Sequence, residues 1–146
     1  MELRPFTWVL VAALAWGGGQ VPAGGTAVLK RIYDEVRTMP APPGLGFVTQ
    51  DVFIGGPDDD DTNKDVHVAL LIQAIGEEAL LRIRVTELER TPADRRVKHA
   101  RGSRELVCAV RGGDLRLVRS DVPDADIPRL AEDILKAVLD KKRLIR

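Results

Sequence analysis

The sequence predicts an α+β domain: a five-stranded, mainly antiparallel sheet with an amino-terminal and a carboxy-terminal helix packed on one of its faces. Three observations predict it. Two segments, one near residues 26–38 and one near 127–138, carry apolar residues at three- and four-residue spacing. Between them lie five runs with the alternation or β-branched richness of strands. Gly76-Glu77-Glu78 and Gly112-Gly113 interrupt those runs briefly, and connections this short join only antiparallel neighbours.

Taken in order, Thr26 is placed to cap the first helix, in which Val28, Leu29, Ile32, Val36 and Met39 form one apolar stripe. Pro40 ends it, and Pro42, Pro43 and Gly44 keep the connection extended. The first strand runs from Phe47 to Ile54 and stops at Gly55-Gly56-Pro57. Val66 to Ile75 is apolar on both faces, as in a central strand. From Ala79 to Leu88, Leu81, Ile83 and Val85 alternate with Arg82, Arg84 and Thr86, so one face is apolar and the other polar. Thr91-Pro92-Ala93-Asp94 opens a short helix reaching about His99, with Gly102 as its stop. Glu105 to Arg111 and Asp114 to Ser120 form a second hairpin. Asp124 or Asp126 caps the closing helix, Pro128 fits its first turn, and Ile127, Leu130, Ala131, Ile134, Leu135 and Val138 make its buried stripe. The expected order is α-β-β-β-(α)-β-β-α.

The first 23 residues read as a secretory signal peptide. Arg4 precedes an apolar run from Phe6 to Trp16, Gly17 to Gly19 break it, and Val21-Pro22-Ala23 supply a small-residue cleavage site. A membrane-spanning helix needs about 20 apolar residues, and this run is shorter. A buried core helix would also account for it, as would a retained amino-terminal anchor, but the glycine break and the cleavage pattern favour the signal. Residues 24–146 are then one domain, secreted or periplasmic, with no stable membrane span after cleavage.

Composition narrows the function. The chain carries 22 basic and 22 acidic side chains, and the signal removes one of each, Glu2 and Arg4. Neutrality argues against non-specific nucleic-acid binding, which runs on excess positive charge. Aromatic residues are 4% of the chain and include Trp8 and Trp16 of the signal, so a stacking platform is not expected. The single cysteine, Cys108, has no partner for an internal disulfide. Its apolar setting reads as a buried small hydrophobe, against a reactive thiol or an intermolecular bridge.

Arg104 to Val110 as a strand, Gly112-Gly113-Asp114 as a turn and Leu115 to Val122 as a strand entering a helix resemble the type III secretion chaperone-like fold, which also houses the YbjN-type sensory-transduction domains. The resemblance covers about the last 40 residues; the rest follows it in element order alone. It implies a non-catalytic domain that pairs with itself and binds a peptide segment.

Catalytic patterns are sparse. His67 and His99 are the only histidines and Ser103 and Ser120 the only serines. Neither serine lies in a nucleophile-elbow sequence, and no HExxH, Cys-x-x-Cys or phosphate loop occurs. The acidic tract 58–65 places Asp59, Asp61, Asn63 and Asp65 at alternate positions, the spacing of oxygen ligands around calcium. Lys64 stands where an EF-hand loop has glycine, and Leu70 where it has glutamate, so a solvated, self-repelling loop is the simpler reading. The basic feature is the connection around Arg90, Arg95, Arg96, Lys98, Arg101 and Arg104, extended by Arg82, Arg84, Arg111 and Arg116 on nearby strands. It suits an acidic partner or the acidic tract of a second copy in a homodimer.

The sequence therefore points to an exported, non-catalytic module that engages a protein or peptide partner through the sheet face or edge that its helices leave uncovered. A small extracytoplasmic enzyme and a calcium-stabilised structural protein are the competing classes.

Overall fold

A computed structural model describes residues 25–40, 47–55, 65–90 and 98–144. Helix α1 (Gly25–Val36) precedes five strands, β1 (Phe47–Ile54), β2 (Val66–Ile75), β3 (Glu78–Arg90), β4 (Lys98–Arg111) and β5 (Asp114–Ser120). A single 3-10 turn (Asp124–Asp126) leads into helix α2 (Ile127–Leu144). The strands pair in sequence order, β1-β2-β3-β4-β5, and every pairing is antiparallel. The fold is the expected α+β arrangement, with the sheet built as a meander of adjacent strands.

The strand period of two sorts the sheet into faces. Val52, Val68, Leu70, Ile72, Leu81, Ile83, Leu106, Cys108, Val110 and Leu115 lie on one face, in one apolar cluster with Leu29, Ile32 and Val36 of α1 and Ile127, Ala131, Ile134 and Val138 of α2. Both helices therefore cover the same face. They are tied together at their ends, where Lys142 Nζ donates to Glu35 Oε1 at 2.7 Å and to Thr38 Oγ1 at 3.0 Å. The other face is mostly polar, yet Leu80, Val107 and Ala109 are buried there too. Val107 lies across from Arg82 and Arg119, and Ala109 across from Leu80 and Arg116. Aliphatic stems of long cations shade small apolar neighbours of this kind.

At one end of the sheet two tight turns close the hairpins. Ile75 pairs with Glu78, and Arg111 with Asp114, which leaves two residues in each loop. Gly76 and Gly112, the first residue of each loop, have φ of 63° and 61°, while among the described residues no non-glycine residue has positive φ. That combination belongs to type II′ turns, whose twist matches antiparallel strands.

Two expectations change. Helix α1 begins at Gly25, so Thr26 lies inside its first turn and is not its cap. Residues 98–104, read as the tail of a short helix and its stop, are strand. Arg90, Glu89 and Leu88 of β3 pair with Lys98, His99 and Ala100, and cross-strand pairing prevails over the local helical signal. Gly102 does not end a helix; the register shifts beside it, so that Arg101 is the extra residue of a β-bulge. The rest of that expected helix, residues 91–97, lies outside the described residues, as do residues 1–23 of the signal.

Candidate functional site

The site develops where β4 outruns its neighbour. Strand β5 pairs with β4 only from Leu106 to Arg111. The chain then leaves the sheet, and Asp121 seals the last position: its N–H donates to Glu105 O at 2.9 Å, and its Oδ2 accepts from Glu105 N–H at 3.0 Å. Ser120 Oγ locks the departing bend, accepting from Val122 N–H at 2.9 Å and donating to Val122 O at 2.6 Å. Beyond Glu105, β4 continues for seven residues, Lys98 to Arg104. Its β3 side is paired except at the bulged Arg101; among the described residues no strand pairs with it on the β5 side.

A cavity of about 330 Å³ lies against this segment. Ile54, Val66 and Val85 form its floor on the sheet, and Val122 and Leu130 its wall on the turn and α2. Gly102, Ser103 and Arg104 border it from β4, and Glu87 and Asp126 add charge to the rim. Asp126 closes the 3-10 turn and Leu130 lies in the first turn of α2, so the start of that helix forms part of the hollow. A more open groove of about 760 Å³ runs between the helices, with Val28, Leu135 and Leu139 among charged neighbours that include Glu132 and Lys136.

The arginines named from the sequence separate into two groups. Arg82 and Arg84 stand on the sheet face away from the helices, and Arg84 comes within 4.0 Å of Glu105. Arg101 and Arg104 belong to the projecting part of β4. There Arg104 lies 3.4 Å from Glu87 and Arg101 lies 4.0 Å from Glu89, across the β3–β4 pair. Lys98 is in the same segment, in register with Arg90. Arg95 and Arg96 lie outside the described residues. Arg84, Arg101 and Arg104 each face a carboxylate across the sheet, and an exposed pair of this kind contributes up to about 1 kcal/mol.

Of the acidic tract, Asp59, Asp61 and Asn63 lie outside the described residues. Asp65 is exposed at the start of β2, and its carbonyl accepts Leu88 N–H at 2.7 Å. His67 stands on the face away from the helices, with Nε2 2.8 Å from Asp51 Oδ1 and its ring 5.1 Å from that of Phe53. A histidine–carboxylate pair is therefore present, but it lies on the opposite face of the sheet from the cavity. Cys108 is fully buried, and desolvation pushes its thiol from 9.0 up to about 12, so it packs as an inert hydrophobe.

Sequence reasoning missed the lining residues Ile54, Val66, Val85, Val122 and Leu130. Each is apolar in an apolar pattern, and nothing local distinguishes a residue at the end of a core from one within it. The one usable signal was the continuation of the β3 alternation through Val85 to Glu87 and Glu89, opposite a run rich in arginine. No family model matches the chain, and neither the curated proteins nor the solved structures searched contain a match.

Proposed function

We propose that this chain is an exported, non-catalytic binding domain that holds a peptide segment of a protein partner. The observation that carries this reading is the seven-residue stretch of β4 that has no strand neighbour on one side among the described residues, set beside an apolar cavity. An unpaired strand edge offers a row of N–H and C=O groups, and an extended peptide adds to such an edge by main-chain hydrogen bonds while an adjacent pocket selects side chains. Extracytoplasmic placement rests on the order of charge, apolar run, glycine break and small residues in positions 1–23. Peptide binding is also what the resemblance to the secretion chaperone-like fold implies.

The test uses the purified full chain and its Val85→Glu variant as baits against the envelope fraction. A partner held by the first and lost from the second, with both baits folded by circular dichroism, supports the reading. Capture of the same proteins by both baits, or an intact Met1 on a soluble intracellular product, overturns it.

A further inference from the structure

We infer that the occupant of the β4 edge is an extended acidic peptide, added as a strand in line with β5, and not a second copy of this chain. The inference rests on the binding-domain reading and names the ligand class for it. Continuing the line of β5 past Ser120 brings an added strand alongside Lys98–Arg104. Val122 and Asp126 line the hollow beside this segment. Seven residues of strand extend about 23 Å, enough for a short segment to make several ladder hydrogen bonds.

Charge chooses between the candidate occupants. The segment Lys98-His99-Ala100-Arg101-Gly102-Ser103-Arg104 has three permanent cations and no carboxylate. Two copies pairing antiparallel about its middle would set Lys98 against Arg104 and Arg101 against itself. Like charges directly opposite destabilise a strand pair, and cations on an edge are a common guard against self-pairing. A peptide with carboxylates meets the same side chains favourably. Glu87 and Glu89 do not use them up. Arg101 is 61% exposed, its approach to Glu89 is long at 4.0 Å, and each guanidinium has five N–H donors in a fork that suits a carboxylate.

The cavity adds a second requirement. Its floor and wall are apolar, and Asp126 on the rim repels an anion. The peptide residue over Val85 and Val122 is therefore apolar, with the carboxylate two positions along, beside Arg101. At about 330 Å³ the hollow is at the small end of binding pockets and suits one or two side chains.

The test measures fluorescence anisotropy of labelled eight-residue peptides with the purified full chain. One peptide repeats Val-Ser-Asp-Ser, so that Val and Asp stand two positions apart on one face (Val/Asp); a second has Lys in place of Asp (Val/Lys), a third has Ser in its place (Val/Ser), and a fourth is the Val/Asp peptide with alternate amides N-methylated. The expected result is binding of the Val/Asp peptide at least tenfold tighter than the Val/Lys peptide, with the N-methylated peptide failing to bind. The Arg101→Gln/Arg104→Gln double variant should lose that preference while still binding the Val/Ser peptide. Equal binding of the Val/Asp and Val/Lys peptides overturns the acidic ligand but leaves an edge-binding domain standing. Failure of every peptide to bind overturns both. Sedimentation showing a dimer that the Val/Asp peptide dissociates would make a second copy the occupant and overturn the inference.

Discussion

The two ends of the sheet are built on different terms. At the turn end, type II′ loops at Gly76 and Gly112 close both hairpins, and the inward side chains run under the two helices. At the far end, β3 and β4 run on as a ribbon: β5 has stopped, a bulge bends the strand at Arg101, and the inward face opens into a cavity. The difference appears along a single strand. Ile83 is completely buried, whereas Val85, two residues on, is only partly covered and lines the hollow. A long strand can thus spend one half on stability and leave the other for recognition. The β1 edge shows the alternative treatment of an exposed strand: the carbonyl of Asp51 accepts Lys141 Nζ from α2 at 2.8 Å, and a lysine over the edge discourages pairing there.

The largest expected effect tests that contrast directly. Ile83→Ala should cost about 2–5 kcal/mol in a denaturant titration, the range for a large aliphatic side chain removed from a closed core. Val85→Ala should cost roughly 1 kcal/mol, since part of its surface already meets the cavity. Equal losses would mean that the far end is as much core as the turn end.

The glycines give a sharper version. Gly76→Ala and Gly112→Ala each place a side chain at positive φ and should lose about 1–2 kcal/mol apiece. Gly102 has no such φ, and a Cβ built there meets nothing within 4 Å. Gly102→Ala should therefore change stability by less than about 0.5 kcal/mol. A large loss at Gly102 would show that the projecting strand is held more tightly than its open surroundings suggest.

Cys108 reports on the closed region through pH. The unfolded thiol ionises near 9.0 and the folded one only near about 12, so the unfolded chain releases its proton first. The stabilisation is whole below pH 9 and drains away as pH rises from 9 toward 12. Cys108→Ala should flatten that decline relative to the parent in urea melts taken across the window. The native thiol should also stay unreactive toward a disulfide reagent until the chain unfolds.

The smallest effects belong to the surface. Glu87→Gln should shift stability by no more than about 1 kcal/mol, because the Glu87–Arg104 pair is half exposed on both sides. Calcium at millimolar concentration should leave the melting temperature unchanged, since residues 58–65 lack the sixth-place glycine and twelfth-place glutamate of a calcium loop. A rise that a chelator reverses would assign the ion to Asp59, Asp61, Asn63 and Asp65.

Much of the architecture was legible because it depends on period. The stripes of α1 and α2, the alternation in β3, the two-sided apolar run of β2 and the paired turns at Gly76 and Gly112 are all short-range signals. The amino-terminal half of β4 was not legible. Its lysine, histidine and arginines favour no strand face by themselves, and their place becomes evident only opposite Leu88, Glu89 and Arg90. The candidate site was half legible: Arg101 and Arg104 could be picked out by charge, whereas their pairing with Glu89 and Glu87 and the hollow beside them could not.

Sequence alone determined which residues of the regular stretches turn inward, where the first and last helices lie and which two loops must be tight, because each follows from neighbours three, four or two positions apart. Only the tertiary structure decided that β5 ends before β4 does, that Val85 lines a hollow, and that an arginine-rich run becomes a strand edge open on one side among the described residues. Those outcomes depend on residues eight or more positions apart meeting in register, and no local pattern encodes the length at which two strands cease to pair.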